Sequence, residues 1–384
     1  MRRTVRQIAG AIATAGLLAA TASAAPALAD NPGHGPFGED GSGHAVFVQT
    51  DGLSGNQIVA YHRHGDGALT QSAIYPTGGL GGQLTGSVVD HTASQGALTY
   101  DRADNILLAV NAASNTVSVF SVYGSDHLAL RQVIDSGGTF PASVTARHGE
   151  VFVLNALNGG SLQGYAVPGA RLVALPSLHR SLGLATPGTG DPEQFTHTPG
   201  QVAFSPDGSK LIVTTKAAGQ SVEVFQVNPL GAISQTPVVT ADPNTPFAVT
   251  FDPQGHLLLA EAGGALASFL INSDATLTEL STVPTGQAAT CWVTPAAGYY
   301  YTSNAGSATL TGFRDAFGGQ LTLLGNTPTS GGTIDATSAG TNLYVQGGLE
   351  GTVDEFTVAS NGSLSSIGSL LVPGAAGGEG ITTN

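Results

Sequence analysis

Short apolar runs recur along the chain, and each run ends in a polar residue or a glycine. Seven of them lie at residues 46–51, 107–112, 151–156, 212–217, 257–262, 300–305 and 343–348. Each is followed by a second apolar stretch with one aromatic residue: Tyr61, Phe120, Tyr165, Phe225, Phe269, Phe313 and Phe356. A repeat of about 40–50 residues with several strands is typical of the blades of a β-propeller. The seven repeats therefore predict seven blades.

The fourth repeat shows the predicted blade most plainly. Its sequence predicts four strands, at about residues 201–205, 210–215, 221–227 and 233–240. The Ser-Pro-Asp-Gly sequence after the first of these predicts a tight turn, because Pro206 fixes φ and Gly208 accepts a positive φ. We therefore expect an all-β protein, a seven-bladed β-propeller with four-stranded antiparallel blades.

The two ends of the repeat array predict how the ring closes. The first repeat lacks a strand before Val46, whereas the last repeat is followed by a surplus segment at 379–384. This segment can supply the missing strand of the first blade. The sequence therefore predicts one propeller domain over residues 45–384, closed by its C-terminal strand.

The N-terminus has a different composition from the repeats. Three arginines within the first six residues precede an alanine-rich apolar stretch at 8–22, and Ala27-Leu28-Ala29 offers a small-x-small cleavage site. This pattern predicts a secretory signal peptide over 1–29, too short and too weakly apolar to be a membrane span. Residues 30–44 predict a flexible Gly/Pro-rich tail. We expect a secreted, extracellular protein.

Charge and cysteine content narrow the expected partners. The chain has 26 acidic and 12 basic residues, a net charge of −14 that repels phosphate backbones, so we expect no nucleic-acid partner. The single cysteine, Cys291, excludes an intrachain disulfide and predicts a buried thiol beside Trp292. No phosphate-binding loop, His-Glu-x-x-His motif or cysteine cluster is present, so no cofactor and no metal are expected. We expect a monomer.

Propeller topology predicts where a site would lie. Loops joining second to third strands share one face with the connections between blades, and two of those connections, 77–96 and 180–200, are about 16 residues longer than the rest. Such insertions concentrate on the binding face. The binding candidates there are Asp51, His91, Asn111, Asn155 and Asn304, and the catalytic candidates are Glu193, His197, Lys216 and Glu261. Asp90 and Asp191 lie in the same loops.

Each candidate also has a purely structural interpretation. An Asn or Asp at a strand end commonly bonds to nearby backbone in a turn. Lys216 and Glu261 lie in adjacent blades and can instead pair with each other. The histidines of the long loops can be solvated loop residues. The sequence leaves both interpretations open.

The blade sequences at 201–214, 245–262 and 289–313 resemble the lactonase-type seven-bladed propellers with YVTN-like repeats. That family includes the propeller type of 6-phosphogluconolactonase and the carboxymuconate cyclases. The similarity extends over about 45–384 and is closest to a secreted actinobacterial branch. The resemblance implies an exported hydrolase of a sugar lactone or a related cyclic ester.

The chain departs from the family pattern in blade four. Enzymatic members typically open this blade with Gly-Pro-Arg-His and end its second strand in Asn-Glu. The matching positions here are Thr198-Pro199-Gly200-Gln201 and Thr215-Lys216. Lactone hydrolysis needs a base that activates water and a donor that stabilises the oxyanion.

Two hypotheses about function follow from this departure. In a lactone hydrolase, His197 or Glu193 would activate the water and Lys216 would stabilise the oxyanion. In the alternative, the protein is a noncatalytic secreted propeller that binds a protein, a glycan or a cell-wall ligand on its channel-mouth face.

Overall fold

The computed structural model describes residues 44–384. The predicted signal peptide (1–29), and the predicted tail except for His44, lie outside the described residues. The described chain forms seven four-stranded antiparallel sheets, which confirms the seven-bladed propeller. Within this range, no helix has the length and hydrophobicity that crossing a membrane requires.

Each blade is given from its innermost to its outermost strand. Blade 1 consists of Ile381–Thr383, Ala45–Gln49, Gln57–Arg63 and Leu69–Pro76. Blade 2 consists of Leu98–Asp101, Ile106–Asn111, Thr116–Tyr123 and His127–Asp135. Blade 3 consists of Pro141–Arg147, Glu150–Asn155, Ser161–Ala166 and Val173–Ser181. Blade 4 consists of Gln201–Phe204, Lys210–Thr214, Ser221–Gln226 and Val238–Ala241.

The remaining three blades follow the same order without interruption. Blade 5 consists of Pro246–Phe251, Leu257–Glu261, Ala265–Ile271 and Leu277–Pro284. Blade 6 consists of Thr290–Ala296, Tyr299–Asn304, Thr309–Ala316 and Gln320–Pro328. Blade 7 consists of Thr333–Ala339, Asn342–Gly347, Thr352–Val358 and Leu364–Leu371. Between residues 44 and 384 the helical segments are one 3₁₀ turn, Gln194–His197, and one α-helical turn, Lys216–Gly219.

The C-terminal strand closes the ring as predicted. Ile381–Thr383 pairs antiparallel with the first strand of the chain, so that Val46 lies opposite Thr383 and Val48 opposite Ile381. The backbone N–H of Ala45 also donates to Oδ1 of Asn384 at 2.8 Å. The innermost strand of blade 1 therefore comes from the opposite end of the chain to its other three strands.

The seven aromatic residues occupy the third strands, as their spacing predicts, and all are buried. The second strands are almost completely buried as well, because both of their faces pack against neighbouring blades. The outer strands, such as Leu69–Pro76, have many exposed positions. The core thus consists of apolar layers between blades; in one of them the Phe152 and Phe204 rings meet edge to face, with centroids 5.7 Å apart.

Blade 4 differs from its prediction in two places. Its outer strand is Val238–Ala241, shorter than the predicted 233–240, because Ile233 forms only an isolated bridge with Val227. The chain after its second strand turns helically at Lys216–Gly219. Ser181 still belongs to an outer strand, so the second long connection begins at residue 182.

Candidate functional site at the upper channel mouth

The upper face is the one that carries the connections between blades. Its two long connections are the first long loop (77–97) and the second long loop (182–200). Both were predicted to stand around the channel as a rim. In the structure, the end of the first long loop lies across the channel itself. We call residues 90–97 the plug segment.

Side chains of opposite blades hold the plug segment in place. Ser94 donates from Oγ to the carbonyl of Ala142 in blade 3 at 2.7 Å, and Trp292 in blade 6 donates from Nε1 to the carbonyl of Ser94 at 2.6 Å. The Gln95 amide donates to the carbonyl of Val293 at 3.1 Å and accepts from its N–H at 3.0 Å. Because these contacts reach opposite sides of the ring, the segment closes the channel mouth.

Asp90 shapes the start of the plug segment. Its Oδ1 accepts the N–H groups of Thr92 and Ala93, both at 2.8 Å, and its Oδ2 accepts the N–H of Ser94 at 2.9 Å. The carboxyl group therefore satisfies three backbone donors of a tight turn. Burial raises the Asp90 pKa to about 6, although these hydrogen bonds and Lys216 oppose the rise.

Lys216 fastens both long loops from below. Its Nζ donates to the carbonyl of Ala93 at 2.5 Å and to that of Phe195 at 2.7 Å, and it lies 5.2 Å from the centre of the Phe247 ring. Only 1 % of Lys216 is exposed, so the prediction that it lies on an open rim is wrong. Burial lowers the Lys216 pKa to about 7, with a smaller opposing effect of Asp90.

Three further carboxyl groups are buried at the mouth. Glu379 accepts the N–H groups of Gly96 at 3.0 Å and Ala97 at 3.1 Å, one on each carboxyl oxygen. Asp51 accepts the N–H of Glu379 at 2.9 Å, and the Asp335 carboxyl lies beside that of Glu379. Together with Asp90 these residues form a group that we call the mouth carboxyls.

Desolvation raises the pKa of every mouth carboxyl. The pKa values of Asp51 and Asp335 rise to about 7, chiefly because both groups are buried. The Glu379 pKa rises well above its usual range because the group is buried and faces three other carboxyls. Asp335 and Glu379 were not among the residues predicted for the site. Their signal was their place at the start of an innermost strand, where side chains meet the channel.

Glu193 and His197 lie on the outer side of the second long loop. Glu193 is exposed and precedes the 3₁₀ turn, while His197, which is partly exposed, ends it. His197 Nδ1 lies 2.9 Å from Thr196 Oγ1 and 3.0 Å from the Glu193 carbonyl. Lys216 binds the Phe195 carbonyl of the same turn. The turn's backbone therefore separates Lys216 from the two predicted bases.

The binding candidates at strand ends make structural hydrogen bonds. Asn111 accepts from Thr77 Oγ1 at 2.6 Å, and Asn304 accepts from Thr290 Oγ1 at 2.7 Å. Asn155 donates to the carbonyl of Ser136 at 3.1 Å. Thr290 begins the same blade as Asn304 and Ser136 lies shortly before the blade of Asn155, whereas Thr77 directly follows the outer strand of blade 1. These amides thus hold successive parts of the chain together and do not face an open site.

Glu261 and His91 also lie apart from Lys216. Burial raises the Glu261 pKa to about 7, and the nearby charges of Asp242 and Glu279 raise it further. This carboxyl therefore faces acidic residues between blades 4 and 5. The predicted pairing of Lys216 with Glu261 is not formed. His91 packs against Gly377, where a Cβ atom would lie 2.1 Å from Nε2, and burial lowers its pKa.

A cavity of about 340 Å³ lies against the plug segment, lined by Gln95 of that segment and by the innermost strands of blades 4 to 7. A larger groove of about 660 Å³ lies on the lower face, between surface turns of blades 4 and 5. It includes Asp207, whose oxygens already bind Ser205 and Ser209. This groove lies apart from the mouth carboxyls, although the hydrogen bond from Ser205 lowers the pKa of its own Asp207 to about 2.

Known structures share the fold. No family model and no curated protein matches the chain. The periplasmic gluconolactonase of Pseudomonas aeruginosa is similar with a TM-score of 0.71, over 88 % of this chain and 98 % of its own, at 17 % sequence identity. A candidate 6-phosphogluconolactonase from Bacteroides fragilis is similar with a TM-score of 0.69, over 90 % of this chain and 99 % of its own, at 19 % identity.

A protein that is named for another reaction also shares this fold. The virginiamycin B lyase of Staphylococcus aureus is similar with a TM-score of 0.50, over 74 % of this chain and 87 % of its own, at 14 % identity. At such low identities the likeness extends to the fold alone, and one fold can carry several reactions. The resemblance to lactonase-type propellers therefore holds for the fold, and the actinobacterial branch stays a prediction.

Proposed function

We propose that the protein is an exported lactone hydrolase that acts on a sugar lactone or a related cyclic ester at the upper channel mouth. One observation carries the proposal: Lys216 and the mouth carboxyls are buried together there, in a chain of which only 10 % is charged. Ionisable groups whose pKa values are strongly shifted, gathered at one place in a fold, are candidates for acid–base chemistry. No cofactor enters the proposed reaction.

The roles follow from the chemistry of ester hydrolysis. Water attacks the lactone carbonyl, a base takes its proton, and a cation stabilises the oxyanion; the ring C–O bond then breaks and the departing ring oxygen takes the proton from the base. Lys216 is the proposed cation, and His197 or Glu193 is the proposed base. Because the 3₁₀ turn separates them, the long loops must part before a substrate can meet all three.

Export and substrate class draw support from the comparisons. A periplasmic gluconolactonase has the same fold over nearly its whole length. The signal peptide over 1–29, the tail over 30–44, an extracellular location and a monomeric state are parts of the same proposal. The activity to test is therefore the hydrolysis of a lactone by the exported protein.

A noncatalytic propeller is the second candidate, and one observation favours it. Both hydrogen bonds of Lys216 go to backbone carbonyls of the closed loops, which leaves its ammonium group engaged in structure. On this alternative the upper face binds a protein, a glycan or a cell-wall ligand without hydrolysis.

Hydrolysis of a panel of aldono-1,4- and aldono-1,5-lactones by the mature protein tests the proposal. Lys216→Met should lower kcat/KM at least about tenfold, near 1.4 kcal/mol of transition-state stabilisation, because the oxyanion loses its cation. Lys210→Met, the same change on the lower face, should leave kcat/KM unchanged. If the wild-type protein hydrolyses no member of the panel, the noncatalytic alternative stands instead.

A further inference from the structure

Glu379 links the ring closure to the plug segment. It lies two residues before the closing strand Ile381–Thr383, and its two carboxyl oxygens hold the N–H groups of Gly96 and Ala97. Asp51 holds the N–H of Glu379 in turn. The plug segment is therefore docked on a carboxyl group that is completely buried.

The groups around Glu379 are mostly acidic. Asp51, Asp90 and Asp335 face it; Lys216 lies near Asp90 and Cys291, and His91 lies beside the backbone of Asp51. Lys216 is the one lysine in this set, and its hydrogen bonds go to carbonyls. The carboxyls are not arranged so that three of them could hold a metal ion. Protons must therefore relieve the repulsion, because like charges a few ångströms apart in a buried site cannot all ionise.

We propose that the mouth carboxyls and the plug segment form a proton-controlled gate. While Glu379 and Asp335 share a proton, the plug segment stays in the channel mouth. When both carboxyls are ionised, repulsion against Asp51 and Asp90 drives Glu379 into water and releases Gly96 and Ala97. The role of this gate in controlling access to a catalytic site rests on the proposed function.

The direction of the pH dependence follows from the pKa shifts. Carboxyls with raised pKa values favour the closed state below about pH 4, and that advantage is lost as the pH rises through the value of about 7 for Asp51 and Asp335. Lys216 acts the other way between its closed-state pKa of about 7 and its ordinary value of 10.5, and His91, whose pKa burial lowers, acts the other way below its ordinary value of 6.5. From pH 5 to about pH 7 the several carboxyls outweigh the single histidine, and rising pH opens the gate.

Hydrogen exchange of the plug segment tests the gate without any substrate. Mass spectrometry would follow the peptide that contains residues 90–97 from pH 5 to pH 8, with each rate corrected for the intrinsic pH dependence of exchange. Trp292, the only tryptophan, gives a second signal because its Nε1 donates to the plug carbonyl of Ser94. Opening should shift its fluorescence to longer wavelength.

The variants separate the gate from general acid–base effects. Asp335→Asn removes the charge that faces Glu379. Asp315→Asn is the control: Asp315 pairs with Asp252 on the lower face and also has a pKa raised to about 7. Protection of the plug segment should fall at least about tenfold between pH 5 and pH 8 in the wild type and in Asp315→Asn. In Asp335→Asn it should fall less than about threefold.

Two results would overturn the gate. One is protection of residues 90–97 that does not change with pH in the wild type. The other is an Asp335→Asn profile that matches the wild type; if that variant does not fold, Asp51→Asn takes its place with the same expected result. An open gate in a protein that hydrolyses no lactone would refute the proposed function and leave the gate standing.

Discussion

Asn111, Asn155 and Asn304 show how the same residue at equivalent strand ends serves the fold. Each amide bonds to a group at or before the start of its own blade, so removing it would leave a buried partner unsatisfied. Lys216 lies two residues after the end of the corresponding strand of blade 4, and its longer side chain reaches the long loops instead. The length of the side chain at this position therefore decides which segment of the chain it bonds to.

The repeated aromatic residue makes a quantitative prediction. Phe313 is fully buried in a cluster that includes Trp292 and Tyr300, so Phe313→Ala should lower the free energy of unfolding by roughly 3–5 kcal/mol. Phe317, four residues later, is 92 % exposed, and Phe317→Ala should change it by less than about 0.5 kcal/mol. Chemical denaturation of both variants measures the difference. A loss below about 1 kcal/mol for Phe313→Ala would contradict the packing.

The first long loop explains why the channel mouth is closed. A connection between blades runs from an outermost strand to the innermost strand of the next blade, so its end must approach the channel. The first long loop is longer than this path requires, and the excess lies across the mouth as the plug segment. The insertion thus changes the accessible surface of the ring without changing any blade.

The closing strand is the second element with a measurable effect. Deletion of residues 379–384 removes the inner partner of Ala45–Gln49 and leaves that buried strand with an open edge. We expect a clear drop in melting temperature, measured by calorimetry. Thr382→Ala, a partly exposed position on the same strand, keeps the backbone pairing and should change the melting temperature little. An unchanged melting temperature in the deletion would refute closure by this strand.

Across the whole molecule, four buried carboxyls with raised pKa values meet at the upper mouth, whereas a groove of about 660 Å³ lies on the lower face, where Asp315 also has a raised pKa. Burial in the channel explains the shifts, since the mouth carboxyls are removed from water by the plug segment. The lower groove is bounded by turns whose polar groups bond to one another. The two faces therefore differ in chemistry more than in shape.

This difference predicts where a ligand binds. A bound lactone should slow hydrogen exchange in the first and second long loops and leave the turn at Arg147 and His148 on the lower face unchanged. Charge reversal at Arg147 should likewise leave kcat/KM unchanged. Exchange measured with and without an aldonolactone checks this, and protection confined to the lower groove would place the site there.

The sequence by itself determined the architecture. The seven aromatic positions, the apolar second strands and the surplus segment at 379–384 predicted seven blades and their closure, because a blade buries its faces only against neighbouring blades. The pattern that predicts a blade occurs seven times in the sequence. Local irregularities such as the short outer strand of blade 4 lack this redundancy and were predicted less well.

Only the tertiary structure decided which polar residues meet. Lys216, Ala93 and Phe195 are far apart in the sequence, and so are Glu379, Asp335 and Gly96. The repeat does not bring them together, because Ala93, Gly96 and Phe195 lie in the two long loops and Glu379 lies near the chain end. Their pKa values depend on burial beneath a loop whose path the pattern of apolar residues does not encode. The blades follow from the sequence period, while the chemistry of the mouth follows from how the chain fills the ring.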